Sequence, residues 1–80
     1  MNKTVYIYAS NESCKFAGMV SNISIYQNLT FVEVSNSVHW YNILLPLVKE
    51  GLIQSIDTRD NCIKIEFYTK YVDKIEEIKE

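Results

Sequence analysis

Glycine and proline are scarce in this sequence, with two glycines and one proline among 80 residues. A phosphate-binding loop needs several glycines close together, because the backbone must approach the ligand closely. Gly18 and Gly51 lie far apart, so a glycine-rich nucleotide-binding loop is excluded. The single histidine, His39, and the two cysteines, Cys14 and Cys62, show none of the spacings that are typical of a metal site.

Catalytic combinations are lacking as well. A cysteine nucleophile requires a nearby histidine, and nothing in the sequence brings Cys14 or Cys62 to His39. No pair of carboxylates stands out as a general acid and base. We therefore predict a protein that is not an enzyme and that uses no cofactor or metal, although an active site shared between subunits stays open at this stage.

Charge is also scarce in the first part of the chain. The net charge is −2, and residues 1–48 hold only four charged side chains, Lys3, Glu12, Lys15 and Glu33, out of eighteen. A neutral surface rich in Tyr and Asn is easily desolvated, which is typical of binding surfaces; an AT-rich genome gives the same composition. The lack of clustered Lys and Arg disfavours nucleic-acid binding.

The length of 80 residues predicts a single domain spanning 1–80. No apolar run reaches the roughly 20 residues that a membrane span requires. The first residues, MNKTVYIYAS, have no apolar segment long enough for a secretion signal. We expect a cytoplasmic protein without membrane contact, in which both cysteines are reduced.

Strands are predicted wherever apolar and polar residues alternate, and 4–10 and 62–68 are the clearest cases. Residues 14–20 form a weaker candidate, because Gly18 lowers strand propensity and suggests a bulge. Residues 23–26, 29–34 and 54–59 complete the set, and Asp60-Asn61 predicts a hairpin. Helix and strand segments do not alternate regularly, which indicates an α+β fold with an antiparallel sheet of four to six short strands.

Two helices are predicted. The central apolar helix, at about 37–50, follows possible caps at residues 35–37 and stops before Gly51. Its polar side is so narrow that either another element or a second subunit must cover the remainder, and so we expect a homodimer. The C-terminal amphipathic helix, at about 70–79, has apolar residues at helical spacing and oppositely charged residues three apart.

Aromatic side chains at outward strand positions are the main candidates for contact with a protein partner, because such rings commonly anchor interfaces. Stabilising cross-strand pairs are the structural alternative. Glu33 is included because it is the only charged residue in an apolar strand, and His39 and Trp40 are included from the central helix. The candidate set is Tyr6, Tyr8, Tyr26, Glu33, His39, Trp40 and Tyr68.

The segment LLPLVKEGLIQSIDTRDNCIKIEFY resembles the second half of a winged-helix domain, in which a helix runs through a glycine into a hairpin. This resemblance covers about a third of the chain and implies a DNA-binding regulator. The chain departs from that family in having strand-like sequence before the helix and Leu where base-reading side chains should stand.

Gross features instead favour a small non-catalytic protein-interaction module. The size, the AT-rich composition and the lack of catalytic motifs are similar to those of phage or mobile-element inhibitors of host proteins, anti-CRISPR proteins among them. The winged-helix-like regulator is the alternative. A dimer that binds a small ligand at its subunit interface is the third hypothesis.

Overall fold

The computed structural model describes residues 3–37 and 39–79. The elements in chain order are β1 (Lys3–Ala9), β2 (Ser13–Val20), β3 (Asn22–Ile25), β4 (Leu29–Ser35), α1 (His39–Lys49), β5 (Ile53–Arg59), β6 (Cys62–Tyr68), a 3₁₀ turn (Thr69–Tyr71) and β7 (Val72–Lys79). The strands form two antiparallel sheets, in the orders β2-β1-β7 and β3-β4-β6-β5. The predicted α+β class with antiparallel pairing is confirmed. In the part of the chain that is described, no helix has the length and apolar character to cross a membrane.

Alternating side chains build one core between the two sheets. Val5, Ile7 and Ala9 of β1 are at most 1% exposed, and the inward residues of β4 and β6 are equally buried. The buried side chains of α1 join the same cluster. β2 and β3 are separated only by Ser21, whose backbone N–H donates to the Glu33 carbonyl at 2.8 Å. The chain therefore crosses from one sheet to the other at a single bend.

Helix α1 lies within the predicted range 37–50 and ends in a Schellman motif. The Leu52 N–H donates to the Leu47 carbonyl at 3.1 Å, and the Gly51 N–H donates to the Val48 carbonyl at 3.0 Å. Gly51 has φ of +81°, which is the left-handed conformation that this motif requires. Leu47 and Leu52 are both buried, so the hydrophobic contact that usually accompanies the motif is available.

An aromatic stack joins α1 to both sheets. The ring of Trp40 lies parallel to that of Phe16 of β2, with centroids 5.2 Å apart. Phe16 in turn meets Phe67 of β6 edge to face at 6.0 Å. The indole lies over Gly18, where a methyl group would overlap its Cη2 atom. Gly18 is therefore required because Trp40 occupies the space of a side chain.

The amphipathic helix predicted for 70–79 is wrong. Residues Thr69–Tyr71 form a 3₁₀ turn, and β7 then pairs antiparallel with β1 as the third strand of the smaller sheet. The described residues form seven strands in two sheets, where the sequence predicts one sheet of four to six strands.

A β-bulge explains how residues at helical spacing fit into β7. Ile7 and Ala9 both face the core, and their partners on β7 are Ile75 and Val72, with Asp73 as the extra residue. The bulge thus puts two apolar residues that are three apart on the same face. A helix of about ten residues is marginal in water, whereas β7 satisfies backbone groups along one edge of β1.

Candidate functional site

Tyr6 and Tyr8 lie on the outer face of the three-stranded sheet, as predicted, and both are half-buried. The Tyr8 hydroxyl donates to Oε1 of Glu76 at 2.8 Å, and Nζ of Lys74 lies 4.7 Å from the centroid of the same ring. Because the phenol donates its proton to a carboxylate, the pKa of Tyr8 is raised to about 12. Neighbours within the chain therefore already use both the hydroxyl and the ring face of Tyr8.

Tyr26 and Glu33 lie together on the outer face of the four-stranded sheet. Tyr26 is 59% exposed, and its ring meets that of Phe31 edge to face at 5.6 Å. One oxygen of Glu33 accepts a hydrogen bond from Nδ2 of Asn22 at 3.2 Å. These side chains and Lys64 line a shallow depression of about 200 Å³. The structure thus brings two of the predicted residues to one place.

Tyr68 points outward from the same sheet, where it is paired across the strands with Leu29. Its ring is half-buried and meets Tyr71 edge to face at 5.8 Å. Nζ of Lys70 lies 5.1 Å from the centroid of the Tyr71 ring. Tyr68 therefore forms a second aromatic pair with Tyr71, which lies in the 3₁₀ turn.

His39 and Trp40 lie at the first turn of α1, beside a groove of about 380 Å³ between β2 and the residues that follow β4. Nδ1 of His39 is 2.9 Å from Oγ of Ser37, and its ring stacks on Trp40 at 5.0 Å. Trp40 is only 6% exposed. His39 is exposed at the surface, whereas Trp40 mainly fills the core.

An outer stripe on α1, made of Tyr41, Leu45 and Val48, is the feature that the predicted residue set missed. These side chains are 36%, 53% and 41% exposed. They repeat at intervals of four and three residues and therefore share one side of the helix. The signal was present in the sequence, because the predicted helix has more apolar residues than a single stripe can bury.

The helix–glycine–hairpin connection that resembles a winged-helix domain is present, but four strands precede it instead of helices. Arg59 near the hairpin tip donates through Nε to Oδ2 of Asp57 at 2.9 Å. A cation held by its own carboxylate neighbour is a poor phosphate contact. The hairpin therefore offers no clear wing for DNA.

A third groove, of about 580 Å³, lies between the β1–β2 turn, the end of α1 and the 3₁₀ turn. The turn has three successive residues at positive φ, Ser10, Asn11 and Glu12. Its conformation is supported by the Glu12 N–H, which donates to Oδ2 of Asp73 at 2.8 Å. The Asp73 carboxylate, which lines the groove, is therefore already bonded to the turn.

Within residues 3–37 and 39–79, no three His, Cys, Asp or Glu side chains form a group that could hold a metal ion. No family model matches the chain, and neither a curated protein nor a solved structure is similar to it.

Proposed function

We propose that this protein is a small non-catalytic protein-interaction module that acts through the outer stripe of α1. The observation that carries the proposal is the exposure of Tyr41, Leu45 and Val48 on one side of a helix whose adjacent side is packed into the core. Trp40, Leu44 and Leu47 form that packed side. A helix in a monomer normally presents polar residues to water, and so a second apolar stripe indicates a contact surface.

The energetics are adequate for a specific contact. Complete burial of a Leu or Val side chain contributes roughly 1.5–3 kcal/mol. Because Tyr41, Leu45 and Val48 have already lost part of their surface to the core, each would add about 1 kcal/mol on docking. The neighbouring Asn42 and Pro46 are also exposed and uncharged, so little charge would be desolvated with the stripe.

We further propose that the first partner of the outer stripe is a second copy of the chain. α1 carries no charged side chain before Lys49. Two copies can therefore pack their helices against each other about a two-fold axis without like charges meeting at the centre. A homodimer of this kind would cover the apolar surface that the fold itself leaves exposed.

Light scattering of the purified protein across a range of concentrations tests this proposal. We expect the wild type to have twice the monomer mass of 9.3 kDa, and Leu45→Lys to weaken association at least about tenfold, since a buried unpaired charge is strongly unfavourable. Met19→Lys is the matched control, because Met19 is 51% exposed on a different face. A wild type that stays monomeric at every concentration contradicts the dimer.

The wider role that we propose is inhibition of a host protein by a phage or mobile element, with DNA binding as the less favoured alternative. It is supported only by the small size and the composition of the chain. Affinity capture from the native host with wild type and Leu45→Lys side by side tests it. A partner retained equally by both variants would show that the outer stripe is not the contact surface.

A further inference from the structure

We infer that the depression on the outer face of the four-stranded sheet binds an arginine side chain of a partner protein. This aromatic depression is lined by residues from β3, β4 and β6 and from the turn after β3, namely Asn22, Ser24, Tyr26, Phe31, Glu33 and Lys64. The inference names the chemistry of a partner and so rests on the proposed function. It uses none of the residues of the outer stripe, and so a separate measurement tests it.

The geometry of the two rings suits a cation. Tyr26 and Phe31 are inclined at 77° with centroids 5.6 Å apart, which makes a corner with two aromatic walls. A cation within about 6 Å of a ring centroid is attracted by the negative face of the ring. Tyr26 is 59% exposed, so its ring is accessible to a group that comes from outside.

Lys64 shows that this corner already attracts positive charge. Its Nζ lies 5.8 Å from the centroid of Phe31, although Glu33 and Asp57 are its direct cross-strand neighbours. Lys64 covers Phe31 and leaves the exposed ring of Tyr26 for a second cation. Glu33 lines the same depression. Its carboxylate accepts from Asn22 and from the Cys62 thiol, one bond on each oxygen, and each oxygen keeps a lone pair for that cation.

A guanidinium fits the remaining features of the depression better than an ammonium does. Its plane can stack on the Tyr26 ring while its N–H groups donate to a carboxylate oxygen, which a compact ammonium cannot do in the same way. The volume of about 200 Å³ is below the 300–1,000 Å³ of sites for drug-sized ligands and so suits a single side chain.

The depression is also preorganised. The Thr69 hydroxyl donates to the Tyr26 carbonyl at 2.9 Å, and the Thr69 N–H donates to the Asn28 carbonyl at 3.1 Å. These two bonds hold the β3–β4 turn, which carries Tyr26, against the end of β6. Less conformational freedom is therefore lost when the ring is contacted.

An NMR titration with the blocked tripeptide Ac-Gly-Arg-Gly-NH₂ tests the inference on the intact protein. We expect backbone amides of Ser24 and Phe31 to shift with a dissociation constant on the order of 10 mM, as for one cation–π contact with a charge-assisted hydrogen bond. The citrulline analogue has the same shape without charge and should bind at least about threefold more weakly. Equal shifts with the two peptides, or none with the arginine peptide, would overturn the inference.

Substitutions identify the groups involved. Tyr26→Leu and Glu33→Gln should each weaken the arginine peptide about threefold to tenfold. Tyr71→Leu is the matched control and should leave affinity unchanged, because Tyr71 is an exposed ring in a similar edge-to-face pair elsewhere. If Tyr71→Leu weakens binding as much as Tyr26→Leu does, the peptide binds aromatic rings without preference.

Lys64→Met decides whether Lys64 acts as an internal competitor. The thioether can still pack on Phe31, and the loss of a positive charge should raise the affinity for the arginine peptide about twofold to threefold. Weaker binding by this variant would contradict a cation site. Light scattering of the same samples reports on the dimer separately, so failure of one proposal is distinguishable from failure of the other.

Discussion

The outer faces of the two sheets both present tyrosines, but the rings differ in what surrounds them. Tyr8 on the three-stranded sheet donates to Glu76 and lies beside Lys74, so its polar and aromatic groups are occupied. Tyr26 on the four-stranded sheet is 59% exposed and meets Phe31 edge to face. Alternation along a strand assigns a ring to a face, whereas its availability depends on residues that are distant in the sequence.

The two sheets also differ in how they are attached to the rest of the molecule. The three-stranded sheet meets α1 where Trp40 lies over Gly18 and stacks on Phe16. At one end of the four-stranded sheet, threonine hydroxyl groups link β4 to the 3₁₀ turn and to the β3–β4 turn. Oγ1 of Thr30 lies 2.9 Å from Oγ1 of Thr69, whose proton goes to the Tyr26 carbonyl. A threonine hydroxyl has one proton, so Thr30 is the donor in the first bond.

Gly18→Ala should have the largest effect on stability. The added methyl group would overlap Cη2 of the buried Trp40, and overpacking of this kind lowers the free energy of unfolding by about 1–3 kcal/mol. Urea denaturation of wild type and variant measures the loss. Combination with Trp40→Leu should make the alanine nearly neutral, because the obstructing ring is gone.

Gly51→Ala is the control for that experiment. Nothing lies within 4 Å of a methyl group at this position, and only the positive φ of +81° opposes it. Its effect of about 1 kcal/mol should be the same with Trp40 or Leu at position 40. If Trp40→Leu fails to rescue Gly18→Ala, the glycine is needed for its backbone and not for the space above it.

Thr30→Val should have the next largest effect. The side chain is fully buried, and loss of its hydrogen bond to Thr69 should lower the free energy of unfolding by about 1 kcal/mol. Thr58→Val is the matched control, because its hydroxyl also lies 2.9 Å from another hydroxyl, that of Tyr41, but at the surface. Thr58→Val should change the free energy of unfolding by less than about 0.5 kcal/mol. Equal losses would mean that burial adds nothing to the Thr30 bond.

Local sequence patterns predict much of this fold. The inward residues of β1 and β6 follow from strict alternation. The end of α1 follows from Gly51, and the β5–β6 hairpin follows from Asp60-Asn61, where Asp60 has φ of +46°. Each of these features is determined by residues that are close together in the chain, and for that reason the sequence is sufficient.

Features that depend on distant residues could not be predicted. Val72 and Ile75 have the spacing of a helix, and only their pairing with β1, about 65 residues earlier, makes them part of a strand. Gly18 suggests a bulge, but the register of β1 and β2 shifts between Ile7 and Tyr8 instead. The real role of Gly18 depends on Trp40, which the sequence alone cannot place above it.

The candidate site shows the same limit. The seven predicted residues do not form one surface, because the two sheets and α1 turn them in different directions. Tyr26 and Glu33 line the same depression because β3 and β4 form a hairpin, in which Asn22 is paired with Glu33. The contribution of Lys64 depends on the pairing of β4 with β6, which no local pattern specifies.

The smallest expected effect is a pH dependence of stability that comes from Tyr8. Its hydrogen bond to Glu76 raises its pKa to about 12, so the folded protein holds the phenol proton more tightly than the unfolded chain does. This contribution to stability is complete below the unfolded phenol pKa of about 10 and is lost as the pH rises through about 12.

Urea midpoints measured at a series of alkaline pH values should therefore fall more steeply for wild type than for Tyr8→Phe, because the variant has no phenol proton to lose. The urea midpoint of Glu76→Gln should also fall less steeply with pH than that of the wild type, since the carboxylate that accepts the proton is removed. If Tyr8→Phe and wild type fall in parallel, the Tyr8–Glu76 bond is too exposed to stabilise the fold, and Tyr8 would then be as available to a partner as Tyr26.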